Sequence, residues 1–371
     1  MADASTTHSP VSGRIASIDA LRGFDMFWIT GGEEVIHSLR KVFPNPLMNG
    51  LDLQFRHVAW AGFHFYDLIF PLFVFIVGLV LPFSLTRRLE TGANRAKVYG
   101  HVVRRLVLLF FLGLVYNGLL DFRFHELRIA GVLQRIAVCY FITALVMMNT
   151  SVRGQAAVAV GLLVVYWLVM ELVPVPGIGA GVITPTGNLS TFINQHLLPR
   201  PLSDPFDDPE GILSTIPAVS TCLMGALAGH WLRSSRSPAR KALGLALAGI
   251  ASLLLGLLWG HWFPIIKYIW TSSYVLFAGG WSLVLLALFY WIIDVRDCRR
   301  WAFFFTVIGL NPITIYVLRS QFDFGAVANI FVRGFINYFG PYKPVFYDLS
   351  VLAVGWLFLC FLYRQKIFLK V

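Results

Sequence analysis

Apolar residues fall along the chain in long unbroken runs, not in the one-faced stripes of a soluble bundle. Runs long enough to cross roughly 30 Å of hydrocarbon at about 1.5 Å per residue lie near 20–38, 66–86, 102–120, 129–149, 155–173, 212–232, 242–260, 272–293, 301–321 and 347–363. The pattern predicts an all-α polytopic membrane protein with about ten transmembrane helices. The first run is the weakest, because Arg22, Asp25, Glu33 and Glu34 interrupt it; an amphipathic helix lying on the membrane surface is its alternative. No repeat of 20–50 residues is visible, so the pattern neither supports nor excludes an inverted-repeat transporter. Residues 1–17 are a polar tail with no apolar core before a cleavage motif, so the first span is expected to be its own insertion signal. Residues 18–371 then read as one transmembrane domain with a long loop at about 174–211.

Composition agrees: 57% of residues are hydrophobic and 13% charged, with a mean hydropathy of +0.70, which excludes an ordinary soluble domain. The net charge of +11 would suit a nucleic-acid partner, but cytoplasmic loops explain a basic excess in a membrane protein more simply, and none is expected. Lys and Arg cluster after the second span (Arg87, Arg88, Arg95, Lys97, Arg104, Arg105), after the sixth (Arg233, Arg236, Arg240, Lys241), after the eighth (Arg296, Arg299, Arg300) and at the C-terminus (Arg364, Lys366, Lys370). With ten spans these share one side, so both termini are expected in the cytoplasm. The long loop is outside and carries Asp204, Asp207, Asp208 and Glu210. Cys139, Cys222, Cys298 and Cys360 have neither disulfide-framework nor metal-site spacing, and no metal is expected.

Candidate chemistry concentrates at the outer edge of the second span. His57, His64 and Asp67 fall at relative positions 0, 7 and 10, which on a helix would place them on roughly one face. Ionisable groups at a membrane edge are costly and default to function; interfacial loop residues are the plain alternative. An Asp beside a His fixes the imidazole tautomer, as a general base requires, and the same imidazole can instead accept an acyl group. Pro71, four residues after Asp67, deprives the Asp67 carbonyl of its usual amide partner if both are helical.

A second polar set lies within the spans: Asp19, Arg22, Gln134, Arg135, Asn311 and Arg319. Buried guanidinium groups need an anion, either a phosphorylated cofactor entering from the cytoplasm or a carboxylate of the chain itself. The topology puts Gln134 and Arg135 nearer the outer end. Asp208 and Glu210 would either greet a cationic substrate or favour the N-terminal end of the following helix. Near His261, Trp259, Trp262 and Trp270 either stack on a sugar or anchor the interface. No P-loop, GxSxG or HExxH pattern is present.

Seven motifs carry a resemblance: SIDALRGFDM, FRHVAWAGFHFYDLIFPLFVFIVG, RIAGVLQRIAVCYF, FDDPEGILSTIPA, WTSSYVLFAGG, GLNPITIYV and YRQKIFLKV. In this order they resemble the heparan-alpha-glucosaminide N-acetyltransferase family over nearly the whole chain. The resemblance implies transfer of acetyl from cytoplasmic acetyl-CoA to the amine of glucosamine or a terminal glucosaminide across a bacterial inner membrane. It places the family's active histidine on His57, with Trp60 and Asp67 as its neighbours, and leaves His64 a supporting role. Asp19, Arg22, Gln134, Arg135 and Asn311 are then expected to hold acetyl-CoA, and Trp60, Asp208, Glu210 and His261 the sugar, in a chain that also suits a homodimer. Two departures stand out: the Gly-rich turn ITGGEE lies far upstream of His57, offering Thr30, Glu33 or Glu34 where the lysosomal enzymes have Asn, and Arg319 replaces their His. Competing functions are an amino-sugar transporter without chemistry and an O-acetyltransferase of a surface glycan.

Overall fold

The computed structural model describes residues 15–368 apart from 93, 200 and 204–206. Asp204, Lys370 and most of the polar tail lie outside the described residues, as does the side chain of Arg87. The described chain is helical, with two isolated β-bridges and no strand. It runs α1 (Ala16–Phe27), a π-helical turn (Trp28–Gly32), α2 (Glu33–Val42), α3 (Pro46–Gln54), α4 (Tyr66–Leu81), α5 (Arg87–Glu90), α6 (Arg95–Tyr116), α7 (Val132–Asn149) and α8 (Val152–Leu172). The second half comprises α9 (Leu189–Leu197), α10 (Thr215–Arg233), α11 (Pro238–Trp259), α12 (Ser272–Tyr290), α13 (Ala302–Gly309), α14 (Pro312–Gln321), α15 (Phe324–Val332) and α16 (Lys343–Arg364).

Seven helices are long and apolar enough to cross a bilayer, or eight if α13 and α14, bent by 68° about a short break, form one broken span. The first and sixth of the ten expected runs are the two outside this set. In the first, α1 has only 12 residues, carries Asp19, Arg22 and Asp25, and gives way to the π-turn, where Gly31 takes φ 122°. Only glycine adopts that left-handed value readily. The sixth, α10, is long enough but rich in Ala, Ser, Thr and Gly. It packs against α4, α7, α8 and α12 and has little lipid-facing surface to make apolar.

Small residues let these inner helices approach closely, the usual device where lipid supplies no hydrophobic force between helices. A Cβ on Gly78 of α4 would stand 1.8 Å from the Cys222 carbonyl oxygen of α10, and one on Gly225 would stand 1.9 Å from that of Phe75. The α1–α13 crossing repeats the arrangement with Gly23 and Gly309. α4 is therefore the centre, 78% buried, whereas the α16 span is 11% buried and faces outward.

The ends of the bundle differ in charge. At one end Arg233 pairs with Glu90 at 2.7 Å, the Ser17 amide donates to Asp294 at 3.1 Å, and the Asn311 side chain donates to the Ile367 carbonyl at 3.0 Å. The basic clusters gather there. At the other end lie the loops holding His57, Arg128, Asp208 and His261. The long loop is more ordered than its sequence suggested, because α9 forms within it. Asn188 caps α9 by accepting from the Thr191 amide at 2.9 Å, and buried Asp207 accepts from Thr191 and Asn194 at 2.6 and 2.7 Å.

Gly78→Ala is expected to lower the melting temperature of the detergent-solubilised protein, because α4 and α10 must separate, at a cost of about 1–3 kcal/mol or more. Gly161→Ala on α8, where a Cβ meets nothing within 4 Å, should be neutral or slightly stabilising. Equal melting behaviour would contradict the close crossing.

Candidate functional site

Asp67 lies in the first turn of α4, where the helix N-terminus favours a carboxylate. Its Oδ1 accepts from His57 Nδ1 at 2.8 Å; its Oδ2 accepts from the His64 amide at 3.0 Å and the Val58 amide at 3.4 Å. His57 and Asp67 are not on one helical face. Residues 57–65 are irregular, and the chain folds back so that the loop wraps the carboxylate. Pro71 lies inside α4, and the Asp67 carbonyl it frees accepts from the Tyr274 hydroxyl of α12 at 2.7 Å. His64 Nδ1 meets the Arg56 carbonyl at 2.9 Å, so His64 shapes the loop.

The loop is stitched to two others. Gly62 donates to the Ile265 carbonyl at 2.9 Å beside the Ala61–Ile266 bridge, and Trp60 Nε1 donates to the Ile183 carbonyl at 3.0 Å. The first contact delivers Lys267, whose Nζ lies 3.0 Å from His57 Nδ1, 3.3 Å from His57 Nε2 and 3.5 Å from Asp67 Oδ1. Burial holds the Lys267 ammonium below the usual lysine range, although Asp67 and Glu210 pull it upward. Sequence reasoning missed Lys267; its one signal is a lone cation in the apolar stretch 262–270.

These groups face a cavity of about 620 Å³. Its rim holds His57, Trp60, Glu210, Lys267 and Tyr268, and its inner walls hold Ile69, Phe70 and Phe73 of α4 with Leu133 and Ile136 of α7. The His57 side chain is 54% exposed into this space while that of Asp67 is 2% exposed. With Nδ1–H donated to Asp67, Nε2 keeps its lone pair for a proton or an acyl group.

The other predicted residues divide. Trp60 and Glu210 line the cavity; Asp208 stands behind Glu210. Arg128 donates from Nε to Asp208 at 2.7 Å and also pairs with Glu210, and the two carboxylates hold its guanidinium above the usual arginine range despite desolvation. Asp208 and Glu210 thus answer a partner in the chain. His261 is exposed beside Trp262 and outside the cavity wall. Trp270 is buried, donates to Thr221 at 3.2 Å and lies under Arg135, so it offers no face to a sugar. Gln134 and Arg135 are buried in α7 on the side away from Leu133 and Ile136; Arg135 donates to the Gly211 carbonyl at 3.2 Å and to Ser214. Asp19 and Arg22 pair at 3.5 Å, and Arg22 donates to the Gly309 carbonyl at 3.3 Å. With Asn311 they lie toward the basic end and do not themselves line the His57 cavity, although the nearby Met26 and Ile313 do.

The fold and cavity define a class: a helical membrane protein with a histidine–carboxylate pair at the mouth of a deep apolar slot. Sequence comparison supplies the particular family. The profile described as "Heparan-alpha-glucosaminide N-acetyltransferase, catalytic" matches residues 14–261, and the chain belongs to that family. The heparan-alpha-glucosaminide N-acetyltransferase of Homo sapiens is 26% identical over 430 residues, covering 98% of this chain and 61% of the human protein. That of Mus musculus is 27% identical over 330 residues, covering 73% of this chain and 50% of the mouse protein. The chain thus spans between half and about three fifths of these relatives.

Arg128→Ala strips the cation from two carboxylates and is expected to loosen the 207–212 segment by on the order of 3 kcal/mol. Limited proteolysis should then cut this segment faster than in the wild type. An unchanged cleavage rate would show that the Arg128 pairs do not anchor it.

Proposed function

We propose that the protein transfers acetyl from cytoplasmic acetyl-CoA to the amine of glucosamine or a terminal glucosaminide. The observation that carries this reading is the His57–Asp67–Lys267 cluster at the mouth of an apolar slot, in a chain whose relatives bear the name of an N-acetyltransferase. The walls of Ile69, Phe70, Phe73, Leu133 and Ile136 suit the uncharged arm of the thioester. The polar rim suits an amino sugar, with Trp60 and Tyr268, their rings 5.7 Å apart, offering apolar faces. Ten crossings, with both termini in the cytoplasm of a bacterial inner membrane, put the basic end on the donor side and His57 on the far side.

In the reaction His57 Nε2 takes a proton from the sugar nitrogen, which attacks the acetyl carbonyl. The C–N bond forms, the C–S bond breaks, and the proton returns to the departing sulfur. Asp67 holds the tautomer and offsets the charge on the imidazolium. Lys267 places a positive charge where the carbonyl oxygen becomes anionic. His57 as acyl acceptor uses the same geometry, with Nε2 bonding to the acetyl carbon before the amine does.

Purified protein given acetyl-CoA and glucosamine should release free thiol, and with N-acetylglucosamine it should not. Thiol release with the N-acetylated sugar would point to a hydroxyl acceptor. Absence of release with either, while proteoliposomes accumulate labelled glucosamine, would favour a transporter.

A pH profile addresses Lys267. Because burial lowers its proton affinity, the ammonium is lost at lower pH than in a solvated lysine, and the rate should fall on the alkaline side accordingly. Lys267→Arg keeps its charge throughout and should move that limb to higher pH. A limb that stays in place would mean that another group sets it.

A further inference from the structure

Among the described residues three carboxylates line the His57 cavity, those of Glu33, Asp67 and Glu210. Asp67 is taken up by His57 and Lys267, and Glu210 is paired with Arg128. Glu33 differs from both. It opens α2 directly after the π-turn, half-buried, and accepts a hydrogen bond from the neutral hydroxyl of Tyr66. The Tyr66 ring in turn lies 4.9 Å from the His57 imidazole, centre to centre. Glu33, Tyr66 and His57 thus follow one another along the cavity lining.

The charged and titratable groups around Glu33 are Glu34 and His37 of α2, Tyr66 of α4, Arg319 of α14 and Lys267 of the 260–271 loop. The basic ones are engaged elsewhere. His37 meets Asp52 at 2.8 Å, Arg319 donates to the Ile29 carbonyl, and Lys267 lies against His57 and Asp67. Among the described residues no cation pairs directly with Glu33, so its carboxylate stands open to a cation from outside the chain, to which it can make a charge-assisted hydrogen bond.

Acetyl transfer to an amino sugar supplies such a cation. An alkylamine is an ammonium below about pH 7, and its acetylation by a thioester yields an amide, a thiol and one free proton. Nitrogen loses two protons in all: His57 carries one to the sulfur, and the other must leave before the lone pair can attack. We propose that Glu33 docks the acceptor as its ammonium, beside Tyr66, and takes this first proton. The inference rests on the transferase reading above. The N–H bond breaks, an O–H bond forms on the carboxylate, and the electron pair left on nitrogen becomes the nucleophile. The proton passes to water when the amide product leaves, and His57 stays neutral for the second transfer. A sugar without an amine lacks the charge that Glu33 binds, so the same residue selects amine over hydroxyl acceptors.

The test measures kcat/KM for glucosamine by thiol release from about pH 6.5 to about pH 9, in the wild type and in Glu33→Gln, with folding checked by melting temperature. The wild-type rate should exceed that of the variant by about tenfold or more at the acid end, the size expected for one hydrogen bond to a charged group. The ratio should fall toward one at the alkaline end, where the sugar arrives as the free amine, and KM for acetyl-CoA should not move. Glu33→Asp keeps the charge but withdraws it by one methylene; it should show a smaller deficit with the same pH trend, and it carries the test if the Gln variant does not fold. A ratio that is the same at every pH, or variants equal to the wild type throughout, would overturn the role of Glu33 while leaving the transferase reading intact. Wild-type protein that releases no thiol with glucosamine at any pH would overturn that reading and this inference with it.

Discussion

The loops at the mouth of the His57 cavity are tied to the Asp67 carboxylate. Its two oxygens hold one imidazole and two backbone amides, with the Lys267 ammonium 3.5 Å away, and its own carbonyl holds the Tyr274 hydroxyl. A carboxylate this buried stays ionised only while such partners surround it, and removing one partner of a buried charge costs several kcal/mol. The loop at 57–65, the loop at 260–271 and helix α12 are thus fixed to the opening of α4 by one residue. The position of His57 is a consequence.

The central location of α4 makes that residue a sound anchor. Its crossing with α10 is set by glycines whose replacement would bring side chain against backbone, so α4 has little freedom to shift under load. The π-turn at Trp28–Gly32 plays a related part further along the rim. By breaking the first helix it forms part of the partition between the His57 cavity and a second cavity lined by α2, α14 and α16.

Much of the fold was legible from hydropathy, because lipid-facing helices must be uniformly apolar; α6, α8, α11 and α16 are read directly from their composition. The inner helices were harder for the opposite reason. α10 has almost no lipid face, and α1 carries polar groups that other helices cover. The contact of His57 with Asp67 was expected, but spacing suggested it through a continuous helix, whereas the structure makes it by a loop returning on itself. The consequence of Pro71 was legible: the freed carbonyl is real, and Tyr274, 207 residues away, is what no local pattern discloses. Lys267 was invisible for the same reason, standing 210 residues from the histidine it touches. The intramembrane polar set looked like one site because each member is costly in lipid. In three dimensions it separates into an Asp19–Arg22 ion pair at the basic end and a buried Arg135 that donates to the Gly211 carbonyl and the Ser214 hydroxyl at the start of α10.

The central claim is that His57 carries the chemistry. It is tested most directly by following thiol release from acetyl-CoA and glucosamine by purified His57→Ala protein whose folding has been checked by its melting temperature. Loss of a positioned base or acyl acceptor should reduce turnover by about a hundredfold or more. Turnover equal to the wild type in a correctly folded variant would contradict the account.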